Sequence, residues 1–276
     1  KYTLISYNTT IKSFIEFVKQ YEKPLSFENL KKIDIMNFLE YKNMVLEKQS
    51  ELQMSSKKLY ITHLKTFFTF INENLDTDIK LSAIFKINIK VPKRTPKGVE
   101  NKDVKILEAY LASLSLESFL NVRASLILKI FLYTGARRGE LEVLKTKNFI
   151  EDGELYVIHT IGKGDKERTL YIPKKYIEDE LSYYKKKEID YIATTKSGKV
   201  MDGSQIYRLL NNVYKKIGIH YSGAHILRHT FAKTMLAKDV NIVTVKELLG
   251  HASIQTTMIY TNPNQKEVQR AYLDTL

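Results

Sequence analysis

Apolar residues recur at helical spacing along most of this chain. Ile11, Phe14, Ile15 and Val18 fall three or four positions apart, as do Ile35, Phe38 and Leu39, and then Leu59, Leu64, Phe67, Phe68 and Ile71. Each run can turn one apolar face to a core. Asp34 and Ser55 stand where N-caps belong, because a short side-chain oxygen there can take an unpaired first-turn N–H. These runs predict a small helical domain over 1–87. The pattern breaks over 88–100, where KVPKRTPKG at 90–98 sets two prolines and a glycine among cations, and a linker is expected.

Beyond it, a second domain is expected over 101–276, with helices at about 101–113 and 118–134. Phe119, Leu120, Leu126, Leu128, Ile130 and Phe131 mark the second of these as a buried core helix. ELYVIHTI at 154–161 and ERTLYIP at 167–173 are rich in β-branched and aromatic residues and flank Gly162, Lys163, Gly164 and Asp165, which predicts a hairpin. Further helices are expected at about 174–187, 203–216, 224–238, 241–249, 253–260 and 265–275. The fold class is therefore mainly α, with a helical N-terminal domain and a mostly helical C-terminal domain carrying a small antiparallel sheet.

Charge adds a partner class. The 44 Lys and Arg outnumber the 31 Asp and Glu, a net +13, which favours a polyanion and nucleic acid ahead of a membrane surface. Lys57, Lys58 and Lys65 give the third helix a positive face, and Lys93 and Arg94 charge the linker, so these are candidate DNA contacts. A solvated face and a plain tether account for them equally well. The absence of cysteine excludes disulfides and thiolate metal sites and makes a reducing cytoplasm the simplest compartment. No apolar run approaches the roughly 20 residues of a membrane span, and no leader is visible. The chain begins at Lys1 rather than Met, which leaves room for residues before it.

Candidate chemistry sits beside strong structural punctuation. In TGARRGE (134–140) an apolar helix stops at Gly135 and Arg137 follows, although positive charge at a helix end is also simply favourable. Lys163 lies between two glycines at the hairpin tip, where a lysine can reach a groove or merely solubilise. In HILRHTF (225–231), Leu227, Phe231 and Met235 share one helical face, and His225, Arg228 and His229 are expected on the other. Two such groups could begin a metal site, but no carboxylate or cysteine cluster completes one. In LGHASIQTTMIY (249–260), Gly250 fits the end of one helix and Ser253 the N-cap of the next, with His251 between them and Tyr260 at the far end. Among 18 tyrosines Tyr260 carries no weight alone. Together, however, a tyrosine, two arginines, two histidines and a lysine supply a nucleophile, donors for charged oxygens and an acid, a set suited to attack on a phosphodiester without metal.

These four motifs, in this order over about 101–262, resemble the tyrosine site-specific recombinase/integrase family, most of all its bacterial Xer-type enzymes and within them a single-protein system. The resemblance implies an enzyme that cuts and rejoins DNA through a 3′-phosphotyrosyl intermediate, without cofactor or metal. It implies Arg137 and Arg228 as phosphate-gripping arginines, Lys163 as acid for the 5′ oxygen, His225 as the partner of the attacking hydroxyl, His251 as a phosphate-oxygen donor and Tyr260 as nucleophile. Glu140 would orient Arg137, and His229 would support the motif from behind. The implied partners are a double-stranded recombination site and three further copies in a homotetramer on two sites, with a DNA translocase activator left open. Resolution of chromosome dimers at a dif-like site is the expected role; integration by a mobile element and, at greater distance, type IB topoisomerase activity are the alternatives. The segment shown has no long arm-binding domain, which favours the Xer-like branch. Asn262, Lys233, Arg138 and Gly139 depart from the family's usual residues without removing a catalytic group.

Overall fold

The computed structural model describes residues 2–20, 29–46, 52–75, 77, 79–91, 98–162 and 167–260. Lys93, Arg94, Lys163 and the helix expected at 265–275 lie outside the described residues. The chain divides into two units, Lys1–Arg94 and Thr95–Leu276. The class is the expected one, mostly helical with one small antiparallel sheet.

The first unit contains α1 (Tyr2–Val18), α2 (Lys32–Leu46), α3 (Met54–Leu75) and the short α4 (Leu81–Ile84). The apolar stripes of the first three meet at Phe14, Phe17, Ile35, Phe38, Leu64 and Phe68. Phe14 meets Phe38 and Phe68 edge to face, with ring centroids 5.2 and 5.8 Å apart, so the positive ring edge faces the negative ring face. Asp34 is not an N-cap. It lies in the first turn of α2, where its Oδ2 accepts from the Lys31 N–H at 2.8 Å, the backward-reaching bond of a capping box. Ser55 likewise falls inside α3, which starts one residue earlier. On α3, Lys58 and Lys65 are exposed and Lys57 is half-buried.

The second unit runs through α5 (Asn101–Ala112), α6 (Phe119–Thr134), α7 (Arg138–Val143), a 3-10 turn (Thr146–Asn148), strands β1 (Phe149–Asp152), β2 (Leu155–Ile161) and β3 (Glu167–Pro173), then α8 (Lys174–Lys186), α9 (Gly203–Lys216), α10 (His225–Ala237), α11 (Ile242–Leu249) and α12 (Ile254–Met258). The sheet has the order β1-β2-β3, all antiparallel, and the β2/β3 register runs from Leu155 opposite Pro173 to Ile161 opposite Glu167. Neither β1 nor α7 was expected: four residues show too little alternation and six residues too little helical period to be legible. Ile89 packs on the first core, while Val99 is buried in the second and its N–H donates to Thr230 Oγ1 at 2.8 Å.

Helix α6 is the centre of the second unit. Leu126, Ile127, Leu128, Ile130 and Phe131 are fully buried, and the helix contacts α8, α10, α9 and β3. Such all-round apolarity marks a helix enclosed on every side. It ends at Gly135, which is left-handed at φ 62°. A Cβ there would lie 2.6 Å from Phe231 Cδ1 and 3.1 Å from Leu249 Cδ2. Gly135→Ala should therefore lower unfolding stability by about 2 kcal/mol or more, from left-handed strain plus overpacking, as read by urea denaturation.

Candidate active site at the end of helix α11

The turn at Gly135 delivers Arg137 as the N-cap residue of α7. Three residues on, Glu140 accepts from the Arg137 backbone N–H at 2.7 Å and from its Nη1 at 2.9 Å. Strand β3 brings a third partner. Its side chains alternate, so Arg168, Leu170 and Ile172 face inward, and Arg168 Nη1 donates at 2.5 Å to Glu140 Oε2, the oxygen that also accepts from the Arg137 backbone N–H. Helix α10 contributes Arg228, only 5% exposed, whose Nη1 donates to the Gly135 carbonyl at 2.6 Å.

All three guanidinium groups then converge on consecutive carbonyls at the C-terminal end of α11. Arg168 Nη2 donates to Leu248 O, Arg228 Nη2 to Leu249 O at 2.6 Å and Arg137 Nη2 to Gly250 O at 2.6 Å. The last carbonyls of a helix lack intrahelical partners and carry its partial negative charge, so they suit cationic donors. Gly250 makes this approach possible. It is left-handed at φ 61°, and a Cβ would sit 2.7 Å from Arg168 Cδ and 3.4 Å from Arg137 Nη1.

His251 follows at once, its Nδ1 2.8 Å from the Thr257 hydroxyl, which leaves Nε2 available. Ser253 caps α12 through the Gln255 N–H. Just beyond α12, the Tyr260 hydroxyl lies 2.5 Å from His229 Nδ1. His225, at the first position of α10, is exposed and makes no side-chain hydrogen bond among the described residues. A cavity of about 750 Å³ lined by Arg137, Arg168, Gly250, His251 and Thr244 opens beside the cluster.

The electrostatics favour an anion. Burial alone would raise the Glu140 carboxyl, but Arg168 and the hydrogen bonds from Arg137 outweigh it and hold the group below its ordinary value. Burial, then Arg137 and Arg168, push Arg228 down to about 9, so it remains a cation at neutral pH. His251 is pushed down to about 4 by burial and then by Arg228, Arg137 and Arg168. His229 is pushed to about 4 by burial and then by His225 and Arg228. Although His225 is exposed as a residue, partial desolvation of its ring and then Arg228, Arg138 and Arg137 lower it. Burial raises the Tyr260 hydroxyl, and Arg228 opposes it. At pH 7 the cluster thus pairs neutral histidines and a protonated tyrosine with three guanidinium charges and one carboxylate.

Of the residues singled out in the sequence, Arg137, Glu140, Arg228 and His251 come together here, with Tyr260 attached through His229 rather than His225. Arg228 is buried, not presented on an open face. Arg168 was missed, although an arginine at an inward slot of an otherwise apolar strand was a visible signal. Among the described residues no cluster of three or more His, Asp or Glu is placed to hold a metal ion, and no helix is long and apolar enough to cross a membrane.

The phage integrase family model matches residues 99–267, which span every one of these groups. The chain belongs to the phage integrase family. It is a tyrosine recombinase, an enzyme that cleaves and rejoins DNA. The tyrosine recombinase XerH of Campylobacter jejuni is 31% identical over 96% of this chain and 76% of its own length. XerD of Listeria monocytogenes serotype 4b is 29% identical over 98% and 91%. Among solved structures, the XerH site-specific recombinase bound to palindromic difH substrate in a post-cleavage complex superposes with a TM-score of 0.79 at 24% identity, covering 98% of this chain and 79% of that one. The Tn1549 transposon integrase with a circular-intermediate DNA gives 0.70 at 13% identity, covering 98% and 94%. These two likenesses carry the fold.

The Glu140 bridge generates a stability prediction. Its folded carboxyl lies below the unfolded value of about 4.3, so its contribution is present above that pH and is lost as pH falls through the lower folded value. Glu140→Gln leaves buried Arg168 without its counter-ion and should cost about 3 kcal/mol at pH 7. Below about pH 4 the difference from the wild type should narrow. His251 and His229 destabilise both proteins alike over about pH 6.5 to 4, because they charge more readily unfolded. Urea denaturation of both proteins at pH 7 and pH 3.5 checks the difference.

Proposed function

We propose that this enzyme is a Xer-type recombinase that resolves chromosome dimers at a dif-like site, with Tyr260 as nucleophile. The convergence of Arg137 and Arg228 on adjacent carbonyls at the end of α11, with Arg137 and neutral His251 lining one cavity and Arg228 close enough to Tyr260 to act on its charge, carries the chemical reading. The relatives named XerH and XerD, aligned over nearly the whole chain, support the role.

In this scheme the scissile phosphate enters the electropositive cavity. Arg137 and Arg228 take its non-bridging oxygens, and His251 donates from Nε2 to the same group. Tyr260 Oη forms a bond to phosphorus as the bond to the 5′ oxygen breaks. The tyrosine proton passes to a histidine: His229 is the resting partner, and His225 takes over once the hydroxyl swings onto the phosphate. Lys163 on the hairpin gives its proton to the departing 5′ oxygen. The 5′ hydroxyl of a partner strand then reverses these steps, and the phosphotyrosyl bond conserves the energy of the phosphodiester. Glu140 orients Arg137. Lys57, Lys58, Lys65, Lys93 and Arg94 contact the DNA backbone. The working assembly is a homotetramer on two sites in the cytoplasm, open to activation by a DNA translocase, and the two units are a core-binding domain over 1–87 and a catalytic domain over 101–276 joined by 88–100.

Tyr260→Phe should bind a nicked site and form no denaturation-resistant adduct on gels, whereas an adduct from this variant would remove Tyr260 from the mechanism. Sequencing DNA trapped on wild-type Tyr260 in cells should return one chromosomal palindrome; recovery of mobile-element ends would assign the enzyme to integration instead. Lys163→Ala should cleave ordinary DNA about 10²-fold slower or worse and regain speed on a substrate whose 5′ bridging oxygen is sulfur, because a thiolate leaves without a proton.

A further inference from the structure

We infer that Arg168 is a positioning residue for DNA cleavage: it fixes Arg137 against the end of α11 through Glu140. The inference rests on the reading of Arg137 as a phosphate ligand. Among the described residues Arg168 makes two hydrogen bonds, and both belong to the cluster. Nη1 meets the Glu140 oxygen that Arg137 Nη1 does not use, and Nη2 meets Leu248 O, two residues before the carbonyl that receives Arg137. Glu140 is therefore clamped from both sides, and Arg137 is tied to α11 directly and through Glu140 and Arg168. A planar fork can span two acceptors of different elements in this way; an ammonium is a point charge and cannot.

Packing alone does not explain the residue. Arg168 fills an inward slot beside Leu170 and Ile172 and is 8% exposed. Its Nε is buried with no hydrogen-bond partner among the described residues. An aliphatic side chain would continue the apolar row without desolvating a charge. The backbone at Gly250 is also shaped around it, since a Cβ there would meet Arg168 Cδ and Nε at 2.7 and 2.9 Å. Geometry around Glu140 and Gly250 is what the arginine secures, and misplacement of a catalytic group by about 1 Å can cost 10²-fold in rate.

The test is single-turnover cleavage of a nicked duplex carrying the sequence trapped on wild-type Tyr260, made with either a normal scissile phosphate or a methylphosphonate. The methylphosphonate has a methyl group in place of one non-bridging oxygen and carries no charge, so it needs little from Arg137. Arg168→Gln should bind this duplex nearly as well as the wild type and cleave the phosphate about 10²-fold slower, yet approach the wild-type rate on the methylphosphonate. Arg137→Ala should do the same. Arg168→Lys, which keeps a charge beside Glu140, should show the same split and serves if Arg168→Gln does not fold. Wild-type rates on phosphate, or an equal loss on both substrates while Arg137→Ala is rescued, would overturn the positioning role and leave the site reading intact. An Arg137→Ala enzyme that methylphosphonate does not rescue would sink the reading of Arg137, and this inference with it.

Discussion

Three guanidinium groups donating to three successive backbone carbonyls at the end of α11 set the geometry of this enzyme. Like charges at such close range repel, and burial removes the water that would screen them. Here the helix end offers aligned, partly negative acceptors, the Gly135 carbonyl takes one more donor, and Glu140 supplies a full negative charge between two of the three arginines. The donors are largely satisfied while the net charge stays positive. The cluster is therefore organised within the protein itself.

The same helix end orders the rest of the chemistry. His251 is the residue after Gly250, and α12 with Tyr260 follows within ten residues, so His251 and Tyr260 share one short stretch of backbone. Burial beside the arginines explains the proton inventory. It keeps His251 and His229 neutral and Tyr260 protonated, so the tyrosine rests on His229 in the free protein. Behind this stands α6, whose left-handed terminus at Gly135 both aims Arg137 and gives a carbonyl to Arg228. A change at Gly135 or Gly250 therefore disturbs the arginine cluster both through backbone placement and through side-chain contact with Phe231 or Arg168.

The division of labour between local signal and long-range packing is visible residue by residue. Periodicity located the long helices because burial on one face repeats along many turns, and the glycines at 135 and 250 were legible because a left-handed helix end excludes most other residues. Short elements such as α7 and β1 escaped because their lengths carry too little period. Asp34 was misplaced because a carboxylate caps from N3 as readily as from the cap position, and sequence does not distinguish the two.

By itself, the order of residues determined the helical class, the hairpin and the chemical inventory around Tyr260, since propensity, turn residues and side-chain type are local properties. Which groups of different elements touch in the arginine cluster depends on separations of 21 to 113 residues along the chain, and these were closed only by packing β3 and α10 on α6 and α11 on α10. Packing made Arg168 a partner of Glu140, buried Arg228 and gave the tyrosine hydroxyl to His229 instead of His225. Those contacts follow from the shape of the core, which no single stretch of sequence contains.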